Sequence, residues 1–197
     1  MKQIYSAILL LFLCSTITFA QTPAKDKISI FGGYEHFPEL RKRNGYNIGI
    51  EYRHYLRKRI YTVINAHAGV NDGVRNEKYE REGIQYNFDL SNSVRDYMIG
   101  LGVGFEVLQK NKHIIYLQGT FGLGTTDVEQ DQITLSPGGA YDIVTTNYEE
   151  HTRFAISATA GYDYQINNLL AIGVNYTCWQ IGYESKNAAN VRISFCF

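Results

Sequence analysis

The chain has 197 residues, with 19 Lys+Arg against 19 Asp+Glu and a formal net charge of zero. That length suits one domain, and the even charge balance removes the basic surplus that nucleic-acid binding uses. Beyond the first twenty residues no run approaches the roughly 18 apolar positions of a spanning helix, so a helical membrane protein is excluded.

Lys2 precedes an apolar run from Ile4 to Leu13, and Ser15-Thr16-Ile17-Thr18-Phe19-Ala20-Gln21 follows. A positive start, a short apolar core and a small-x-small end are the parts of a secretory signal peptide, with cleavage expected after Ala20. Residues 1–20 are thus assigned to the signal and 21–197 to one domain. A membrane anchor fits less well, because Ser15, Thr16 and Thr18 break the apolar run. A lipoprotein signal at Cys14 fits poorly too, because Leu13 stands where a small residue is wanted.

Eight segments then alternate with the period of two that marks a strand. The first is 28–37, with Gly32-Gly33 inside it. In 45–56, Tyr46, Ile48, Ile50 and Tyr52 share a face, and in 60–71 Ile60, Ile64, Ala66, Ala68 and Val70 do. Segment 94–108 sets Tyr97, Ile99, Leu101, Val103 and Phe105 against Met98, Gly100, Gly102, Gly104 and Glu106. Segment 113–126 sets Ile115, Leu117, Phe121 and Leu123 against Gln118, Thr120, Gly122 and Gly124. Segment 153–166 aligns Phe154, Ile156, Tyr162 and Tyr164, and the one starting at Leu169 aligns Leu170, Ile172, Val174 and Tyr176. The closing run, 190–197, alternates Val191, Ile193, Phe195 and Phe197 with Arg192, Ser194 and Cys196. Each segment is near the 9–11 residues that a tilted strand needs to cross a bilayer.

The connections alternate in length. Arg57-Lys58-Arg59, residues 109–112 and Asn167-Asn168 are tight turns, whereas 38–44, 72–93 and 127–152 read as longer loops. The last loop is either 186–189 or a longer hairpin extension that includes 179–185. Short turns alternating with long loops suit an all-β, eight-stranded antiparallel up-and-down transmembrane barrel, with both termini in the periplasm. A soluble barrel would put its apolar face inward. Here the other face carries Gly49, Gly69, Gly100, Gly102, Gly104, Gly122, Gly124, Gly161 and Gly173, as a narrow filled interior requires.

The chain resembles the small outer-membrane β-barrel proteins of the OmpA and OmpX type, above all the outer-membrane β-barrel domain proteins of Bacteroidota-like bacteria. The residues that carry the resemblance are Phe19-Ala20-Gln21, the run Ile99-Gly100-Leu101-Gly102-Val103-Gly104-Phe105, and Ser194-Phe195-Cys196-Phe197. The resemblance implies a Gram-negative outer-membrane location and contact with outer-membrane lipids, lipopolysaccharide and the barrel-assembly machinery, for which Phe197 would be the recognition signal. It leaves activity open, since this architecture serves structural proteins, adhesins, secretion accessories and a few lipid-modifying enzymes.

Alternation puts Glu51, Arg53, Asp96, Glu106, Arg153, Asp163 and Arg192 inside the barrel. Charges there survive by pairing. A mixed-sign plug is the preferred reading over an ion path, because eight strands leave an interior just filled by side chains. No His-x-Ser pair of the lipid A deacylase kind occurs, and His67 is the best inward candidate for acid/base work. No cofactor, catalytic set or metal site is expected, as neither His-x-His nor a paired-cysteine spacing is present. The acidic stretch from Asp127 to Glu150 reads as a solvated hairpin in preference to a cation bridge. Arg41, Lys42 and Arg43 suit either lipopolysaccharide phosphates or simple solubility. Whether Cys178 and Cys196 pair depends on the last hairpin and stays open. The functional expectation is a structural or surface-interaction protein without an open pore or enzymatic activity, with an extracellular or envelope protein as partner. Lipid A modification, or a narrow channel or secretion accessory, is the alternative.

Overall fold

The computed structural model describes residues 25–37, 43–81, 83–135, 141–149 and 152–197, and among these the regular structure is all strand. The strands are β1 (Asp26–Phe37), β2 (Arg43–Tyr55), β3 (Ile60–Arg81), β4 (Ile84–Lys110), β5 (His113–Leu135), β6 (Tyr141–Glu149), β7 (Arg153–Gln165), β8 (Leu170–Ile181) and β9 (Glu184–Cys196). All pairings are antiparallel. Eight strands close a ring in the order β1-β2-β3-β4-β5-β7-β8-β9, and β9 returns to β1 from Lys27 opposite Cys196 to His36 opposite Asn187. The backbones of Asp26 and Phe197 exchange two hydrogen bonds of 2.9 Å, which sets both described chain ends at one end of the barrel, the terminal end.

The alternation has the inverted sense that a lipid-facing wall needs. Ile48, Leu101, Val103, Phe154 and Val191 are exposed on the outside, while Ser29, Glu51, Arg53, Asp163 and Ser194 are buried within. Outside, apolar area meets hydrocarbon; inside, every polar group needs a partner, because water is scarce. One irregularity, a bulge between Glu106 and Leu108 on β4, breaks the β4–β5 ladder near the terminal end.

At that end the connections are tight. Leu56 and Arg57 both donate to the Ile60 carbonyl, and the Asn167 side chain accepts the amides of Leu169 and Leu170 at 2.8 Å each. Asn111, which turns β4 into β5, takes a positive φ of 55°, a conformation that Asn tolerates better than most residues.

At the far end two connections expected as loops prove to be sheet. Residues 72–93 form the upper part of a hairpin in which β3 and β4 stay paired from Ile60 opposite Phe105 up to Arg81 opposite Ile84. In 127–152, β5 runs on to Leu135 and pairs with a ninth strand, β6, from Asp127 opposite Glu149 to Leu135 opposite Tyr141. Hydrogen bonding between the two limbs sustains these extensions; above the bilayer no apolar face is required, so the alternating signal fades. In the last connection residues 179–185 extend the hairpin, as the second of the two expected forms has it, with Ile181 opposite Glu184. The hairpin turns at Gly182, with a φ of 59°, so that residues 186–189 lie in β9.

Candidate functional site

The lumen is filled in layers. Nearest the terminal end, Lys27 meets Asp163 at 2.5 Å, and Glu51 accepts from Arg53 at 2.6 Å, from Arg192 at 2.8 Å and from Gln118 at 2.6 Å. The Arg53 guanidinium lies over the Tyr116 ring at 3.9 Å and the Tyr61 ring at 4.7 Å. Its two terminal nitrogens have no hydrogen-bond partner, so the ring faces take over the role of acceptors. Arg192 also donates to Tyr116 and Ser29. Glu106 stands at the edge of this layer and accepts from Tyr55 at 2.6 Å.

Above it lies a neutral layer of short polar groups. Thr120 and Ser157 are 2.6 Å apart, Thr159 and Thr177 are 2.9 Å apart, and Asn190 donates to Asn175 at 2.9 Å. Next comes a second ionic cluster of Glu35, His67, Asp96 and Lys186, all buried. His67 Nε2 lies 3.0 Å from Asp96 Oδ1 and 2.9 Å from the Lys186 ammonium. One nitrogen serves one of them at a time: protonated it donates to Asp96, bare it accepts from Lys186. Lys186 also pairs with Asp96 and lies 3.7 Å from Glu35. Met98, Ala155, Trp179, Ile181 and Ala188 close the far side as an apolar cluster, with Trp179 stacked on His67 at 4.5 Å.

The seven expected lumen charges therefore divide. Glu51, Arg53, Asp163 and Arg192 form one cluster with Glu106 beside it. Asp96 belongs to the far cluster. Arg153 lies apart from both, half-buried at the far mouth, where its guanidinium sits 5.5 Å from the Tyr183 ring. Lys27, Glu35 and Lys186 were not expected in the interior. Lys27 precedes the first apolar residue of its segment, and Lys186 lay in a presumed loop. Alternation carried back from Ser29 and Asn190 reaches Lys27 and Lys186, and carried forward from Ser29 it reaches Glu35. Arg41 and Lys42 fall outside the described residues; Arg43 opens β2, its backbone opposite Phe37.

Chemically the lumen is lined by buried, mutually paired charges. Among the described residues His67 is the one buried imidazole in it, and no hydroxyl bonds to its ring. Glu35, His67 and Asp96 bring ligand-type atoms within 4.8 Å of one another, yet the Lys186 ammonium occupies the space where a cation would bind. The acidic groups of β5 do not converge: Asp131 accepts from the Ser91 amide and from Thr145, both at 2.8 Å. Cys178 is exposed on the outer wall and opposite Asn187, whereas Cys196 is buried and opposite Lys27, so both are free thiols roughly 30 Å apart along the sheet.

The second candidate is the far-end flange of β3, β4, β5 and β6. Above Val70 the outer edge of β3 has no described partner strand, and β6 ends the sheet on the other side. The hairpins meet through aromatic rings: Tyr141 lies 5.4 Å from Tyr86, 5.8 Å from Tyr79 and 5.9 Å from Phe88. Val74, Ile84, Ile143 and Val144 are exposed on it.

A family model for the outer membrane protein beta-barrel domain matches residues 6–195. No curated protein matches the chain. Among solved structures, Neisserial surface protein A superposes with a TM-score of 0.63 at 11% identity, over 88% of this chain and 98% of that one. The attachment invasion locus protein Ail of Yersinia pestis superposes with a TM-score of 0.54 at 13% identity, over 89% of this chain and 100% of that one. Identities this low speak to the fold alone. With nearly its whole length matched, the chain belongs to the outer membrane protein beta-barrel domain family.

Proposed function

We propose that this outer-membrane barrel is a surface-interaction protein in which the plugged barrel is the anchor and the flange is the binding element. The observation that carries this reading is the asymmetry of the two ends. The terminal end has turns of a few residues, whereas β4 runs 27 residues, against the 9–11 that a crossing takes. Residues 84–93 alone give roughly 33 Å of strand beyond the wall. The β6 sequence between Asp142 and Glu149 is uncharged and rich in β-branched residues, Ile143-Val144-Thr145-Thr146. Such an unguarded edge is a template for an added strand. The β3 edge, by contrast, carries Asp72, Arg75, Glu77, Lys78, Glu80 and Arg81, charges of the kind that guard an edge. In this reading the leader at 1–20 exports the chain, the assembly machinery inserts it, the terminal end faces the periplasm, and β6 takes an extended segment of an extracellular or envelope protein.

The test compares the full barrel with one whose flange is trimmed, 72–93 and 127–152 each being replaced by a short turn. Both should insert and show heat-modifiable gel migration. The full barrel alone should retain partners in a screen of extracellular and envelope proteins. Equal retention by the trimmed barrel would overturn the reading. Lipid A modification has only His67 behind it, and His67→Ala is expected to leave lipid A masses unchanged.

A further inference from the structure

The terminal end carries a one-sided charge pattern that neither plug nor flange uses. Lys25 precedes β1, Arg57, Lys58 and Arg59 make the β2–β3 turn, and Lys110 and Lys112 flank the turn between β4 and β5; all six are exposed. The two cationic turns adjoin, since the Glu106 amide donates to the Arg59 carbonyl at 2.9 Å. The arc is therefore continuous. The third turn, residues 166–169, is uncharged. Among the described residues no carboxylate pairs with Arg57, Lys58, Arg59, Lys110 or Lys112. The side-chain acids nearby are already engaged: Asp26 by Tyr52 and by His54 at 2.8 Å, Glu106 by Tyr55, and Asp163 by Lys27.

Height decides what such an arc can reach. The outer wall above it bears Tyr52, His54, His113, Tyr162, Tyr164 and the terminal Phe197, an aromatic belt of the kind that sits at a membrane interface. Lys112 adjoins His113 in sequence, and its ammonium lies 5.9 Å from the Tyr164 ring. Arg57 is three residues past His54. At about 3.3 Å per residue the cations lie roughly 3–10 Å beyond the belt. The polar layer of a bilayer leaflet is about 5–8 Å deep, so most of the arc's span falls at headgroup depth. Lys25, Arg57 and Lys58 also border a recess of about 400 Å³ at the barrel mouth, which makes part of the rim concave.

We infer that this cationic rim binds the phosphates of anionic phospholipids in the periplasmic leaflet, and so selects the lipid around the barrel. The inference rests on the membrane orientation of the proposed function. Lipid is favoured over the carboxylates of cell-wall polymer because turns this short hold most of the cations at headgroup depth.

The experiment refolds the full chain into vesicles of phosphatidylcholine with a minor share of phosphatidylglycerol, and measures the association of spin-labelled phosphatidylglycerol against spin-labelled phosphatidylcholine. The anionic lipid should be preferred by about fivefold or more at low salt, the gain expected from one engaged Lys or Arg. The preference should shrink with salt. It should fall toward unity in Arg57→Gln/Lys58→Gln/Arg59→Gln and persist in the flange variant Lys78→Gln. No preference in the unaltered protein, or one that survives the triple substitution, overturns the inference. So does rim-dependent cosedimentation with cell-wall sacculi in the absence of lipid preference. Failure to insert into either lipid would instead strike at the membrane reading itself, which keeps the two failures apart.

Discussion

The Gln118 side chain donates to Glu51 at 2.6 Å across the lumen, from β5 to β2, with β3 and β4 standing between those strands in the ring. Glu51 is also the shared acceptor of Arg53 and Arg192. It therefore ties β2, β5 and β9 together at one carboxylate. Removing one partner from a buried ionic group leaves the others uncompensated, at a cost of about 3–5 kcal/mol. Glu51→Gln should accordingly lower the unfolding free energy of the refolded barrel by about that amount in urea titrations. Gln118→Leu removes one hydrogen bond to a charged group and should cost only about 1.5–3 kcal/mol. If Gln118→Leu proves the more damaging, Glu51 is not the centre of the plug.

Two tyrosines fill the space that two glycines leave. A Cβ at Gly104 would stand 2.2 Å from the Tyr61 ring, and one at Gly161 would stand 2.3 Å from the Tyr116 ring. Those rings also enclose the Arg53 guanidinium, so they cannot retreat inward. Gly104→Ala should destabilise by about 1–3 kcal/mol, the usual range for overpacking. In a Tyr61→Leu background the same substitution should cost at least about 1 kcal/mol less, as a double-mutant cycle would show. Simple additivity would mean that the ring moves aside.

The barrel wall was legible in the sequence because it obeys one rule throughout: lipid outside and a narrow filled lumen inside force a period of two. Ile99 to Phe105 shows it at full strength, with glycine inside at every second position. The rule lapses wherever its cause lapses. On the β3–β4 hairpin the inner face stays buried as far as Leu90, but from Ile84 to Asn87 every residue is exposed, and with no lipid to demand an apolar outer face residues 72–93 read as a loop. Lys186 was lost for a related reason. It follows a short hairpin turn, in Glu184-Ser185-Lys186-Asn187, where nothing apolar marks the outward face. Pairing across the lumen, such as Lys27 with Asp163, depends on closure and shear of the ring, which no single strand encodes.

The layered lumen should be electrically silent. The Arg53–Tyr116 layer and the Lys186–Asp96 layer both place buried side chains in the lumen, and Trp179 stacks on the second. The refolded protein should give no conductance steps in planar bilayers. Trp179→Ala should stay silent as well, since it opens only the apolar cover and leaves both ionic layers in place. Discrete steps in the unaltered protein would refute a closed lumen.

Phe197 separates assembly from stability. Its backbone pairs with Asp26 whatever its side chain, and the ring points outward with 59% of its surface exposed. Loss of the ring in Phe197→Ala should therefore cost the refolded barrel no more than the about 1.5–3 kcal/mol of one fully buried aromatic side chain. If the closing aromatic residue is what the assembly machinery reads, the amount of Phe197→Ala inserted in cells should fall far more than that loss explains, while the purified variant still refolds in detergent. If the ring serves only packing against lipid, the two losses should run in proportion. Measuring inserted protein by heat-modifiable migration, beside urea unfolding of the same variant, distinguishes these outcomes. A variant unchanged in both assays would leave the closing ladder, from Asp26 to Phe197, held by backbone pairing alone.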